Sequence, residues 1–335
     1  MRQFTFSGLA FLLIFTFFSC NDDFELEAPY ADIPVVNAYL DINEDDNFVR
    51  VQKAFLGAGG NAIISAATPD SLYYNEEGVI VSFGVGNNDP VEMDLVDGAD
   101  FGIERDTGAF ANSPNLLYRV PPSIELDGGE EISITVNRSG EPDAVAQTTM
   151  IGPIDMSFPV DQAGLRLANY AQTLSVRWRV SDAARIFDVS MNIRVREFDV
   201  SDPSDNITRT LTWVMAPSFR RESEQNLVQL QVSNEAFWQF LGNALEEDDN
   251  VFRQLVDFDI IVTGVGMEVE EAIDLANANG GITSAQSIPV FTNVENGLGL
   301  VTSRSSGGSF NLFLEGPGAG DTLRNGVYTG DLGFQ

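Results

Sequence analysis

The chain has 335 residues and a formal net charge of −32, from 50 acidic and 18 basic residues, with no histidine and one cysteine. Without histidine, Ser-His-Asp and Cys-His nucleophile systems and every His-ligated zinc or iron site are excluded, and the acidic excess disfavours binding of nucleic acid or anionic lipid by the folded body. All basic residues but Lys53 are arginine, which reads as a salt-adapted surface: carboxylates hold water and hydrated cations, and high ionic strength screens their mutual repulsion.

Residues 1–19 carry one charge, Arg2, and an apolar run from Leu9 to Phe18, shorter than the ~20 residues needed to span a bilayer. The segment reads as a secretory signal peptide. It ends Phe17-Phe18-Ser19-Cys20, a small residue directly before cysteine, which resembles a lipobox with phenylalanine where leucine is usual. The resemblance implies cleavage before Cys20 and acylation of its thiol and amine. Cys20 is the only cysteine, so the mature chain has no internal disulfide and its stability must come from its core. Cleavage removes Arg2 and no carboxylate, leaving 17 basic against 50 acidic residues, a net charge of −33.

Residues 20–32 form a polar, acidic tether that opens Asn21-Asp22-Asp23-Phe24-Glu25. By composition alone it is a solvated linker. It also resembles the acidic export tag that follows the lipidated cysteine in surface lipoproteins of the Bacteroidota, which implies that Asp22, Asp23 and Glu25 direct the protein to the outer face.

About 315 residues follow cleavage, enough for two domains. Between 33 and 153 the apolar residues alternate with period two, predicting strands at Pro34 to Leu40, Asn47 to Phe55, Val79 to Val85, Val91 to Leu95, Leu116 to Val120, Glu131 to Val136 and Val145 to Ile151. Seven short strands separated by turn residues predict an immunoglobulin-like β-sandwich. The Ala- and Gly-rich stretch from Gly57 to Tyr74 predicts an insertion or a short helix over it. Ile151-Gly152-Pro153-Ile154 closes this unit.

From 154 to 335 the pattern predicts an α+β domain, the fold as a whole being mainly β. Strands are expected at Leu174 to Val180, Phe187 to Phe198, Thr208 to Met215, Leu227 to Val232 and Phe258 to Val265. One helix is expected after a Ser233 cap, with Phe237, Phe240 and Leu241 on one face, and another at Met267 to Asn279, stopped by Gly280-Gly281.

Few stretches suggest chemistry. Asp41 to Asn47 begins like a calcium loop but has Asp46 where an EF-hand needs glycine and Gln52 where it needs glutamate, so an acidic hairpin turn is the better reading. Glu246-Glu247-Asp248-Asp249 reads as a solvated helix end, and Gly57-Ala58-Gly59-Gly60 lacks the Lys-Ser/Thr of a phosphate loop. Trp178, Trp213 and Trp238 lie at core-facing positions. With 50 carboxylates, some pair falls at glycosidase separation by chance. No residue is assigned as catalytic, and no metal or cofactor is expected.

The most distinctive stretch is Ile288-Pro289-Val290-Phe291-Thr292-Asn293 followed by Asn296-Gly297-Leu298-Gly299. Physically it is a tight turn between two strands. Together with Ile33-Pro34-Val35-Val36, Phe55-Leu56-Gly57 and Pro69-Asp70-Ser71-Leu72-Tyr73-Tyr74, it resembles a family of uncharacterised Bacteroidota outer-membrane lipoproteins whose genes commonly lie beside TonB-dependent transporters. That resemblance implies a surface-exposed, non-catalytic binding or accessory component of a nutrient-uptake barrel, with an unidentified small-molecule or glycan ligand. The alternatives are a carboxylate-based glycoside hydrolase and a structural or adhesion protein.

Overall fold

A computed structural model describes residues 32–54, 62–74, 78–222, 225–279 and 290–335. Cys20, Asp22, Asp23, Glu25, the glycines from 57 to 60 and the expected helix stop at 280–281 lie outside the described residues.

In the first half the strands are β1 (Pro34–Asp41), β2 (Phe48–Lys53), β3 (Val79–Val85), β4 (Val91–Glu92), β5 (Asp94–Asp97), β6 (Leu116–Arg119), β7 (Glu131–Arg138) and β8 (Ala144–Thr149). Alternation divides them cleanly. Val36, Ala38 and Leu40 of β1 and Val49 and Val51 of β2 face Val81 and Phe83 of β3, Ile132, Ile134 and Val136 of β7, and Ala144 and Ala146 of β8 across one buried core. Two mostly antiparallel sheets therefore stack as an immunoglobulin-like sandwich. The strand expected from Val91 to Leu95 is two strands: β4 pairs with β3 in one sheet, β5 pairs with β6 in the other, and buried Met93 marks the crossing. Two short helices, Ala62–Ala66 and Pro69–Leu72, occupy the expected insertion.

The second half adds β9 (Asp155–Phe158), β10 (Gly164–Leu165), β11 (Thr173–Arg179), β12 (Ile186–Asp199), β13 (Asn206–Arg220), β14 (Leu227–Ser233), β15 (Val251–Val265), β16 (Val294–Glu295) and β17 (Val301–Leu314). Helices run at Asn234–Ala244, Met267–Asn279 and Ala319–Asn325. Phe187, Val189, Met191, Ile193 and Val195 of β12 pack with Phe258, Ile260 and Val262 of β15, with Trp178 of β11, and with Phe237, Trp238 and Leu241 of the first of these helices. The last three fall at helical spacing, which is why that segment folds as an amphipathic helix over the sheet. Ser233 stands at its N-cap position but makes no side-chain cap bond. Asn234 instead ties the helix start down, donating to the carbonyls of Arg166 and Asn169 at 3.1 Å each.

One sheet runs through both halves, in the order β13-β12-β15-β17-β1-β2-β6-β5. Its joint is the parallel pairing of β1 with β17, Ala38 opposite Val301 through Asp41 opposite Arg304. The two cores thus lie against neighbouring parts of a common sheet, each closed by its own smaller sheet: β16-β8-β7-β3-β4 over the first, β14-β11-β9 over the second.

Candidate binding face

Because β2 sends Val49 and Val51 into the core, Phe48, Arg50 and Gln52 point to the opposite side of the sheet. On β1 the same rule turns Val35, Asn37 and Tyr39 to that side, with Asn37 opposite Arg50 and Val35 opposite Gln52. On β6, Arg119 lies opposite Phe48. Part of this face is covered rather than solvated. The segment 98–115 and the two short helices fold across it, joined by a bond from the amide of Ala111 to the carbonyl of Ala66 at 2.9 Å, and they bury Ala66, Leu72 and Tyr73.

The acidic turn after β1 is closed by its own side chains. Asp41 Oδ1 accepts from the backbone and the amide of Asn43, both at 2.9 Å, while Asn47 and Asp41 exchange bonds at 2.7 and 3.0 Å. Asp41 Oδ2 receives Arg304 Nε at 3.1 Å, and Asp46 receives Arg119 Nε at 2.7 Å. The calcium-like spacing is therefore used to close a hairpin. Among the described residues, no group of three or more Asp, Glu, His or Cys is arranged to hold a metal ion.

Beside this turn lies an open cleft of about 440 Å³ lined by Tyr39, Phe48, Phe101, Ile103, Arg304 and residues 44 to 47. Phe48 meets Phe101 edge to face at 5.3 Å, and the Arg119 guanidinium sits over the Phe101 ring at 5.0 Å. Tyr39 is 54 % exposed. Aromatic faces beside guanidinium and carboxylate groups suit a small polar organic molecule with an apolar side.

Next along β2, behind Phe48, stands a cluster made almost wholly of donors. Arg105 Nη1 donates to the hydroxyl of buried Tyr73 at 3.2 Å and lies over the Phe110 ring at 4.9 Å. Arg50 stands beside the same phenol, and burial first, then the like charge of Arg105, hold its guanidinium below the ordinary range. Arg50 Nη1 and Gln52 Nε2 are shielded from water with no acceptor. An unmet buried donor costs about 1–3 kcal/mol, so the fold carries a penalty here that an acceptor would remove.

The other expected positions are structural. Trp178 and Trp238 are fully buried, Trp238 donating to the Leu167 carbonyl at 2.8 Å, and Trp213 stacks on Phe240 at 5.9 Å. Asp248 accepts from the backbone and the amide of Asn250, closing its turn. The Asn296-Gly297-Leu298-Gly299 corner is stitched to β1. Leu298 N donates to Pro34 O at 2.8 Å, Val36 N to Leu298 O at 2.7 Å and Ala38 N to Leu300 O at 3.0 Å. The amides of Asn293 and Asn296 are likewise used on backbone carbonyls.

No family model matches this chain, and no curated protein matches it. Among solved structures, a crystal structure of DIP-gamma IG1+IG2 is similar at 9% identity over 85% of this chain and 98% of that one, with a TM-score of 0.19. At that score the likeness adds nothing to the architecture described above. Arg50, Gln52, Tyr73 and Arg105 were not singled out from the sequence. Period-two alternation marks Arg50 and Gln52 as facing away from the core, but only the folded chain brings Tyr73 and Arg105 to them.

Proposed function

We propose that this chain is a lipid-tethered outer-membrane protein displayed at the cell surface, which binds rather than converts its ligand and serves as an accessory component of a TonB-dependent uptake system. The observation that carries the reading is the chemistry of the β1–β2–β6 face. Its cleft is walled by Tyr39, Phe48 and Phe101, and the carboxylates Glu44 and Asp46 on its lining are engaged by Arg304 and Arg119. They tie the turn after β1 to β17 and β6, rather than standing apart as a proton donor and a nucleophile across a substrate. Tethering is supported by the apolar run ending Ser19-Cys20, and display by Asp22, Asp23 and Glu25.

An accessory contact of this kind can be weak. Anchor and barrel share one membrane plane, so effective concentration is high and a micromolar contact, about −8 kcal/mol, suffices. The acidic body would meet an arginine- or lysine-bearing face of the barrel, with an attraction that weakens in salt. The test compares wild type with Cys20→Ala: labelled fatty acid should enter only the former. Crosslinking in gentle detergent, followed by mass spectrometry, should then recover a TonB-dependent transporter with it. Recovery of the lipoprotein alone, with glycan hydrolysis by the purified protein, would replace this reading by a carboxylate-based glycoside hydrolase.

A further inference from the structure

We infer that Arg50, Gln52, Tyr73 and Arg105 form an oxyanion-binding site that takes the carboxylate, phosphate or sulfate group of a small organic ligand, whose body lies in the adjoining aromatic cleft. This deepens the reading of the face as a ligand surface and rests on it.

The two buried arginines Arg253 and Arg138 make the contrast, since both have a carboxylate and a backbone carbonyl as partners even though Arg138 Nε has none. Arg253 is met by Glu197 at 2.9 Å and by the Leu332 carbonyl at 2.7 Å. Arg138 is met by the Asp32 and Pro142 carbonyls at 2.6 and 2.7 Å and by the Asp32 carboxylate at 3.4 Å. Arg105 instead donates to the Tyr73 phenol, beside which Arg50 also stands, and among the described residues neither arginine forms an ion pair with a carboxylate. With the Arg105 guanidinium donating to its oxygen, the Tyr73 hydroxyl keeps its own proton to give. Arg50 Nη1 and Gln52 Nε2 add two donors without acceptors. The set lacks only an acceptor, and guanidinium pairs match the two oxygens of a carboxylate or phosphate.

Overall charge does not forbid this. Screening limits exposed charges to about 8 Å at physiological ionic strength, so the local donors outweigh most of the acidic surface. The acids flanking Arg105 in sequence, Glu104 and Asp106, are exposed. Position indicates an organic ligand. Phe48 is the next outward residue before Arg50, and Phe101 and Ile103 of the cleft wall lie on the same segment as Arg105. An anionic group at the arginines would leave the rest of the molecule beside these rings.

The test uses the full-length protein in detergent. Its melting temperature is followed while sodium chloride is replaced, at constant ionic strength, by sodium acetate, phosphate or sulfate. Calorimetric titrations with glucuronate, glucose 6-phosphate and glucose then separate a carboxylate from a phosphate and either from the sugar alone. Saturable stabilisation by an oxyanion is expected, with affinity at least tenfold weaker in Arg105→Gln and Arg50→Gln and retained in Arg324→Gln. Arg105→Lys, which keeps the charge and loses the fork, should fall between. Without oxyanion, Arg105→Gln should melt no lower than wild type, since it removes a like charge from beside Arg50. An absence of saturable response, equal responses in wild type and Arg105→Gln, or a lower oxyanion-free melting temperature in Arg105→Gln with unchanged binding would each overturn the assignment. The assay involves no transporter, so loss of barrel association leaves its result standing. A negative result here likewise leaves the accessory role to be judged by crosslinking.

Discussion

Replacing Gly299 by alanine should destabilise the protein far more than a turn glycine ordinarily does. Gly299 has φ +122, and a Cβ there would lie 1.9 Å from the Val36 carbonyl oxygen and 2.7 Å from its carbon. The unfavourable backbone angle costs about 1–3 kcal/mol. Relieving the overlap requires the corner to move away from β1 by more than about 1 Å, an overpacking cost of a further ~1–3 kcal/mol. The same movement strains the bonds from Leu298 N to Pro34 O and from Val36 N to Leu298 O, which flank the contact. A total of about 2–6 kcal/mol is a large part of the ~5–15 kcal/mol that holds a typical domain, and corresponds to a fall of roughly 4–24 °C in melting temperature for a unit of this size. Gly86→Ala is the internal control. Its φ is +56 and nothing lies within 4 Å of the added carbon, so only the left-handed penalty of about 1–2 kcal/mol applies. Urea denaturation followed by circular dichroism measures both. If the two variants fall within about 1 kcal/mol of each other, steric seating of the corner on β1 is not what the glycine provides.

Three further outcomes are expected. Replacing Asp22, Asp23 and Glu25 together by alanine should leave the protein lipidated but protected from protease on intact cells, whereas wild type is digested; equal protection of both would remove surface display. The melting temperature should rise between 0.1 and 1 M sodium chloride, as the screening length falls from about 10 Å to about 3 Å; a flat or falling midpoint would show no salt adaptation. Asp259 is held below the ordinary carboxylate range chiefly by Arg194, which donates to both its oxygens at 2.6 and 3.0 Å, with help from the Asn311 amide at 2.9 Å. Its folded value is depressed, so its contribution is complete above about pH 3.9 and is lost as pH falls through the folded value. Asp259→Asn should therefore lower the urea midpoint at pH 6 and flatten its decline towards pH 3, and parallel acid limbs would contradict this.

How much of the fold could be read from the sequence depended on whether one face of each element was apolar. β3 was legible to the residue, because Val79, Val81 and Phe83 alternate with less buried positions. β15 was legible only from Phe258 onward; its first half, Val251 to Asp257, fully buries only Arg253 and shows no apolar alternation. β17 was missed beyond its first residues because the strand that joins the two cores is built from small polar ones. Ser303 Oγ bridges Thr149 O at 2.7 Å and Ile151 N at 3.0 Å, Ser309 Oγ reaches Pro159 O at 2.6 Å, and a Cβ on Gly307 would lie 2.0 Å from Ile154 O. Where backbone passes this close on either side, bulky β-branched residues are excluded, and with them the signal by which a strand is recognised.

The candidate site was illegible for a related reason. Polar residues on alternate positions of a strand ordinarily mark the solvent side, and Arg50 and Gln52 obey that pattern. What turns them into a site is a second cover, supplied by the helices at 62–72 and the segment 98–115, which closes over the polar side of β2 and brings Tyr73 and Arg105 with it. A polar face covered in this way must find partners for its donors, and where carbonyls or carboxylates supply them, as around Arg253 and Arg138, the result is structural. Around Arg50 the cover brings another guanidinium and a phenol that accepts from it, so Arg50 Nη1 and Gln52 Nε2 are left without an acceptor. The functional information lies in that mismatch between what is buried and what is supplied, which belongs to the fold as a whole and to no single stretch of sequence.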